Sequence, residues 1–163
     1  MINKIYLGLG SNLGNKRSNL EQAIEYIKKR IGSEIEQSAF YATESWGFTS
    51  SNTFLNAVVS CNTSLSPEEV LYITQNIEKD MGRNRKSIGR DYTDRIIDID
   101  ILLWNRDIIQ KPELIVPHPL MHKRLFVLRP LANLAPNAWH PTLKRNARQL
   151  LEQLIREEES TQK

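Results

Sequence analysis

The chain has 163 residues, of which 40% are hydrophobic and 25% are charged, so its composition is that of an ordinary globular protein and excludes a disordered or fibrous one. Its single cysteine, Cys61, cannot form an internal disulfide, which favours a reducing compartment. The net charge of +3 permits an anionic partner without requiring one. Because no apolar run reaches membrane-spanning length and the N-terminus lacks a signal-peptide pattern, we expect a cytoplasmic protein with no membrane partner.

Hydrophobic periodicity predicts the element order strand, helix, strand, strand, helix, strand, followed by two short helices. The first helix has apolar residues at every third or fourth position and is predicted to end at Gly32. The second helix begins with Ser66, Pro67 and Glu69, the pattern of a capping box with proline in the first turn. The predicted segments are strand 4–9, helix 16–30, strand 35–43, strand 54–62, helix 67–81, strand 95–104, helix 125–134 and helix 147–158.

This order predicts an α+β fold, a ferredoxin-like βαββαβ sandwich with a C-terminal helical extension. Two helices should cover one face of a mainly antiparallel sheet, and we expect the other face to be free for a functional site. The sequence contains no repeat and no interdomain linker, so residues 1–163 are expected to form a single domain. Since this fold serves many unrelated functions, the function must be inferred from the residues on that second face.

Two aspartates on the last predicted strand of the sheet are the most informative feature of the sequence. Asp98 and Asp100 interrupt a run of isoleucines and, being two residues apart on a strand, share one face at a separation of about 6–7 Å. Like charges at this distance repel unless a cation lies between them, and carboxylate oxygens are ligands that suit Mg²⁺. The alternative is a solvent-facing pair on a half-exposed strand.

Basic residues cluster directly before these aspartates, within the thirteen residues 83–95. Arginines beside a magnesium-binding pair suit phosphoryl or pyrophosphoryl transfer, which depends on positioning and charge neutralisation. The alternative is an ordinary solvated loop. The glycine-rich segment 8–14 does not fit the phosphate-binding loop of P-loop enzymes, which excludes that class. The cluster consists of Arg83, Arg85, Lys86, Arg90 and Arg95.

Six blocks along the chain resemble, in the same order, the 6-hydroxymethyl-7,8-dihydropterin pyrophosphokinase family. The resemblance implies a ferredoxin-like fold and transfer of the β,γ-diphosphate of ATP to the hydroxymethyl oxygen of the dihydropterin, with release of AMP. It further implies two Mg²⁺ ions as cofactors and small-molecule partners without nucleic acid, and we expect a monomer. The blocks are residues 10–13, 40–43, 54–58, 77–85, 95–103 and 116–131.

The resemblance also implies a role for individual residues. The catalytic set is Arg83, Arg95, Asp98 and Asp100, of which both aspartates bind the metal ions. The residues that resemble an ATP site are Gln75, Glu78, Arg85, His118 and Arg124. The residues that resemble a pterin pocket are Thr43, Phe54, Asn56 and Phe126. In that pocket an aromatic ring stacks on the pterin and the asparagine reads its edge.

Some of these residues also have a simpler interpretation. Phe54 and Phe126 are of a type that usually belongs to the core, His118 between two prolines could be a turn residue, and Glu78 could make a local ion pair. Asn56 is different, because an amide within an apolar strand needs hydrogen-bonding partners and a pterin offers them.

The chain departs from the family pattern at four positions, so the resemblance assigns no substrate contacts to them. These positions are Trp46, Arg90, Tyr92 and Leu120. We expect the polar loop 83–94 to be mobile and to close over ATP.

Two other functions compete with the pyrophosphokinase. An RNA-binding module shares the βαββαβ order, but residues 54–61 lack its aromatic motif. A different nucleotidyl or glycosyl transferase with an Asp-x-Asp pair is the second alternative.

Overall fold

The structure is a computed structural model that describes residues 1–43, 53–82 and 96–161. Its centre is an antiparallel sheet in which β2 and β3 both pair with β4, β4 with β1, and β1 with β5. Two helices connect the strands in the order predicted for a ferredoxin-like sandwich, which confirms the fold class. These elements are β1 (Asn3–Ser11), α1 (Lys16–Arg30), β2 (Ser33–Gln37), β3 (Tyr41–Thr43), β4 (Phe54–Thr63), α2 (Pro67–Asp80) and β5 (Asp98–Trp104).

One face of the sheet packs against α1 and α2, because alternate residues of each strand are apolar on that side. Leu7 of β1, Val59 of β4 and Ile99 of β5 belong to this core. Cys61 is buried there as a free thiol, and burial raises its pKa to about 11, so it behaves as a small core residue. The helices contribute Leu20, Ala23, Ile24, Ile27, Val70 and Ile77.

Two glycines follow the helices for different reasons. Gly82 has φ +108, the left-handed region that glycine enters without steric cost, and it comes directly after the C-cap of α2. Gly32, predicted to end α1, is required by a close approach instead. A Cβ atom at Gly32 would lie 2.2 Å from the backbone oxygen of Asn62 on β4.

The prediction of one continuous strand over residues 35–43 is wrong, because the segment forms β2 and β3 with a break between them. At the break the Ser38 hydroxyl accepts a hydrogen bond from the Val58 N–H at 3.0 Å, which replaces a backbone carbonyl of the ladder. The Ala39 N–H turns away and donates to Oδ1 of Asn133 at 2.9 Å. A side chain therefore interrupts the strand while the segment stays attached to β4.

The C-terminal part packs on the second sheet face, so the expectation that this face would be free is wrong where α3 lies on it. Leu131 and Val127 of α3 and Met121 form a second core with Val58 and Leu102 of the sheet. The sequence predicted α3 and α4 but missed two short hairpins, whose strands have only two or three residues. The elements are β6 (Ile109–Lys111), β7 (Leu114–Val116), a 3-10 helix (Met121–Lys123), α3 (Leu125–Leu134), β8 (Trp139–His140), β9 (Arg145–Asn146) and α4 (Ala147–Thr161).

None of the helices in residues 1–43, 53–82 and 96–161 combines the length and apolar character that crossing a lipid bilayer requires.

We predict that Ser66→Ala lowers the free energy of unfolding by about 1 kcal/mol, because it removes the N-cap of α2. The Ser66 hydroxyl accepts a hydrogen bond from the Glu69 N–H at 3.1 Å, and the Glu69 carboxylate accepts one from the Ser66 N–H at 2.8 Å. Chemical denaturation measures the loss. Ser64→Ala, at an exposed position two residues earlier, is the matched control and should change stability by less than about 0.5 kcal/mol. Equal effects of the two changes would contradict the capping role.

Candidate active site

Strand pairing places two predicted site positions, Asn56 and Asp98, in one row across the sheet, with Gly10 between them. Gly10 of β1 lies opposite Asn56 of β4 on one side and opposite Asp98 of β5 on the other. Directly opposed residues of antiparallel strands project to the same face, and neighbouring strands are about 4.8 Å apart. Asn56 and Asp98 therefore share the second sheet face at roughly 10 Å between their Cα atoms.

The two aspartates share that face, as the sequence predicted from their spacing. Asp98 lies opposite Gly10 and Asp100 lies opposite Gly8, while Ile99 between them is buried on the helical side. Both aspartates are partly exposed rather than buried. Because the facing positions on β1 are glycines, no β1 side chain lies directly beside either carboxylate.

Three of the four predicted pterin residues lie together where β3 pairs with β4. Thr43 lies opposite Phe54, and Phe54 is two residues from Asn56, so all three project to the second face. Asn56 is only 4% exposed, and its Nδ2 donates a hydrogen bond to the Thr43 hydroxyl at 2.9 Å. The amide predicted to need a partner therefore has one within the protein.

The fourth predicted pterin residue, Phe126, lies on the first turn of α3 and packs against the second core, which includes Val58 and Leu102. The guanidinium of Arg124 lies 5.4 Å from the centre of the Phe126 ring. The start of α3 therefore brings the Phe126 ring and the Arg124 guanidinium over the sheet face that carries Asn56 and Asp98. Phe126 is partly buried, so its ring packs on the second core and also keeps an exposed part.

His118 reaches this face because its segment is attached to β5. The His118 N–H donates to the Leu102 carbonyl at 3.0 Å, and its Nδ1 accepts from the Leu120 N–H at 3.2 Å. Burial lowers the pKa of His118 below its ordinary value, the positive charge of Arg124 lowers it further, and the negative charge of Asp98 opposes both. The imidazole is thus kept neutral beside the acidic end of the site.

Glu78 and Gln75 lie on α2, on the other side of β5. One Glu78 oxygen accepts a hydrogen bond from the Ile99 N–H at 2.8 Å, a backbone donor that points away from β1. Ile99 is the residue between the two aspartates, so Glu78 holds the strand where it carries them. Gln75, one turn earlier, is exposed. The structure places Glu78 at the outer edge of β5, and the assignment of both residues to an ATP site stays a prediction.

Several predicted positions lie outside the described residues. Among them are the catalytic arginines Arg83 and Arg95 and the ATP-site residue Arg85, as well as the loop 83–94. The same holds for Trp46, Arg90 and Tyr92, where the chain departs from the family pattern. Leu120 is described and is 45% exposed.

Sequence reasoning missed the contribution of Gly10. The predicted first strand ended at residue 9, whereas β1 continues to Ser11 with Gly8 and Gly10 paired on each side. The signal was present, because Gly8 and Gly10 alternate with buried leucines and so lie on the same face of one strand. Their meaning depends on which strands flank β1, and short-range patterns do not contain that information.

Comparison with known proteins adds independent findings. The family model described as 7,8-dihydro-6-hydroxymethylpterin-pyrophosphokinase matches residues 6–136. The chain is 50% identical over 139 residues to the 2-amino-4-hydroxy-6-hydroxymethyldihydropteridine pyrophosphokinase of Porphyromonas gingivalis, covering 84% of this chain and 93% of that protein. It is 42% identical over 135 residues to the protein of the same name from Bacillus subtilis, covering 82% of this chain and 79% of that one.

The fold is also similar to solved structures of HPPK-DHPS proteins. One from Plasmodium falciparum superposes with a TM-score of 0.76 at 17% identity, over 99% of this chain, which spans only 45% of that longer protein. At this identity the likeness concerns the fold alone. The family model and the sequence relatives carry the assignment, since they cover most of the chain. The chain belongs to the 7,8-dihydro-6-hydroxymethylpterin-pyrophosphokinase family.

Proposed function

We propose that this chain transfers the β,γ-diphosphate of ATP to 6-hydroxymethyl-7,8-dihydropterin, as a step of folate biosynthesis. The observation that supports this function is the row formed by Asn56, Gly10 and Asp98. It brings an amide suited to a pterin edge and a carboxylate suited to a magnesium–phosphate complex onto one sheet face. The names of the sequence relatives describe the same reaction class.

Asp98 and Asp100 are the residues that would hold the two Mg²⁺ ions. They fit the ion because both are partly exposed carboxylates that share one face of β5. Within the described ranges no group of three or more His, Cys, Asp or Glu side chains forms a ready metal site. The pair is therefore suited to an ion that takes further ligands from water and phosphate. When bound, magnesium neutralises phosphate charge and orients the triphosphate.

The protein's own residues would position the two substrates. Asn56 and Thr43 would bind polar groups of the pterin, while Phe54 and Phe126 would contact its flat ring. The hydroxymethyl oxygen then attacks the β-phosphorus, and the bond from that phosphorus to the oxygen bridging the α-phosphate breaks. AMP leaves with the bridging oxygen, and the hydroxyl proton passes to solvent.

The ATP side of the site would be supplied by positive and neutral groups near Asp98. Arg124 would contact phosphate oxygens, and neutral His118 would donate from Nε2, since its Nδ1 accepts a backbone hydrogen bond. Glu78 lies at the outer edge of β5 and Gln75 lies one turn earlier on α2, and the nucleoside part would bind beside them. The proposal extends to the arginines predicted from the resemblance, Arg83, Arg85 and Arg95, as groups that bind and stabilise the triphosphate during transfer.

The proposed setting of the enzyme follows from its composition and site. We infer a cytoplasmic location, since the one cysteine is a buried free thiol, and we propose that the enzyme acts as a monomer on its small-molecule substrates. Nucleic acid is not proposed as a partner, because two carboxylates on the second sheet face would repel its phosphates.

The direct test is product chemistry. We predict that incubation with ATP, Mg²⁺ and 6-hydroxymethyl-7,8-dihydropterin yields AMP and a pterin diphosphate. Phosphorus NMR identifies the nucleotide product by addition of authentic AMP and ADP, since either outcome gives one monophosphate signal and one pair of coupled diphosphate signals. Heat-inactivated protein is the control. Formation of ADP with a pterin monophosphate would contradict the proposed reaction.

Replacing either aspartate tests the metal site. We predict that Asp98→Asn and Asp100→Asn fold normally but lose roughly 10³-fold or more in turnover, because each change removes a charged metal ligand at constant size. Turnover across a magnesium titration and thermal stability are measured on the same samples. Asp107→Asn, an exposed position just after β5, is the matched control and should stay close to wild type. Unchanged turnover in the Asp98 and Asp100 variants would rule out the metal assignment.

The charge environment of His118 gives a pH test. We predict that Arg124→Gln raises the pKa of His118, because it removes a positive charge that disfavours the imidazolium. Since the folded-state pKa lies below the ordinary 6.5, the unfolded chain takes up this proton first, and the contribution to stability falls as pH drops below 6.5.

Proton NMR of the imidazole signals follows this titration, and the chain has only three histidines to assign. The matched control is Arg129→Gln, which changes an exposed arginine on α3, the helix that Arg124 directly precedes. It should leave the pKa of His118 unchanged. A pKa that Arg124→Gln lowers or does not move would show that the two side chains are not electrostatically coupled.

A further inference from the structure

We propose that Gly10 is a positioning residue for the pterin, because its missing side chain makes room for the Asn56 carboxamide and so sets the direction in which that amide faces the substrate. This inference rests on the proposed function, in which Asn56 binds the pterin. It concerns a residue that makes no side-chain contact of its own and acts through its neighbour across the strand pair.

The first argument is the space between the two residues. A Cβ atom built on Gly10 would lie 2.9 Å from Oδ1 of Asn56, closer than real Cβ atoms approach any other group. The next atom, Cδ1 of Phe54, would be 3.7 Å away, at an ordinary contact distance. Within residues 1–43, 53–82 and 96–161, the steric requirement for glycine therefore comes from one atom, the carboxamide oxygen of Asn56.

The second argument is that the carboxamide cannot move aside without loss. Its nitrogen donates to the Thr43 hydroxyl at 2.9 Å on the β3 side, while its oxygen lies above Gly10 on the β1 side. The side chain is 4% exposed, so a buried polar group would lose its partner if it rotated away. The Asn56 amide is thus held between the Thr43 hydroxyl on β3 and the Cα atom of Gly10 on β1.

The third argument excludes a backbone reason for the glycine. The glycines with positive φ in the described part of the chain are Gly14 and Gly82, and Gly10 is not among them. Gly10 is a regular member of β1, paired with Asn56 and with Asp98, so an alanine could adopt its backbone conformation. Among the described residues, it is the Asn56 amide that takes the space a side chain at position 10 would need.

Gly8 provides a matched control on the same strand and face. A Cβ atom at Gly8 would lie 3.4 Å from the nearest atoms of Leu102, a flexible apolar side chain at ordinary contact distance. Gly10→Ala and Gly8→Ala thus add the same methyl group to the same strand, two residues apart. They differ in whether the group displaces the Asn56 amide.

The experiment compares four variants by calorimetry: Gly10→Ala, Gly8→Ala, Asn56→Ala and the double variant Gly10→Ala/Asn56→Ala. Each is titrated with a non-hydrolysable ATP analogue and Mg²⁺, and then with 6-hydroxymethyl-7,8-dihydropterin at saturating analogue. We expect Gly10→Ala to weaken pterin binding about tenfold or more while nucleotide affinity stays within about twofold. Gly8→Ala should leave both affinities within about twofold of wild type.

The double variant tests whether Gly10 acts through Asn56. Once the carboxamide is gone, the added methyl has nothing to displace, so the double variant should bind pterin within about twofold of Asn56→Ala alone. If Gly10→Ala is too unstable to titrate, recovery of folding in the double variant, followed by circular dichroism, supports the same clash. A double variant that stays unfolded contradicts it.

The outcomes separate this inference from the proposed function. Wild-type pterin affinity in Gly10→Ala, or losses from Gly10→Ala and Asn56→Ala that simply add, would overturn the positioning role. Wild-type pterin affinity in Asn56→Ala would instead show that Asn56 does not bind the pterin, which contradicts the proposed pocket itself.

Discussion

The pairing of β1 with two antiparallel neighbours is the interaction on which the rest of the site depends. β1 lies between β4 and β5, and its register sets Gly10 opposite both Asn56 and Asp98. A shift by one residue would turn each side chain to the other face and bury the carboxylate among the leucines of the helical core. The apolar face of β1, with Ile5, Leu7 and Leu9, therefore sets the site's register as well as the fold's stability.

The C-terminal part of the chain completes the site by packing on the second sheet face. The end of that face that carries Asn56 and Asp98 lies outside the second core. Helix α3 packs on Val58 and Leu102, which lie two residues beyond Asn56 and Asp100 along their strands. The same packing brings Phe126, Arg124 and the segment of His118 to the rim of the site. Burial and the nearby arginine then keep the imidazole of His118 neutral, while Asp98 opposes the shift.

Contacts to the backbone hold the charged part of the site in place. Glu78 on α2 accepts a hydrogen bond from the Ile99 N–H. The His118 N–H, in the segment that follows β7, donates to the Leu102 carbonyl. These two bonds restrain β5 at Ile99, between Asp98 and Asp100, and again three residues further along at Leu102. β5 is an edge strand of the sheet, and these contacts keep it in one conformation. A site that must align two substrates requires such a fixed conformation.

The sequence by itself determined what short-range patterns encode. The bounds of α1, the capping box at Ser66 and the common face of Asp98 and Asp100 follow from periodicity and local hydrogen bonds, and all three agree with the structure. Only the tertiary structure decided the break at Ser38, the cover over the second face and the need for glycine at position 10. Each of these depends on an atom from a distant part of the chain: the Val58 N–H, the side chains of α3 and the Asn56 carboxamide. Such contacts leave no periodic trace in the sequence, because they arise from which strands become neighbours.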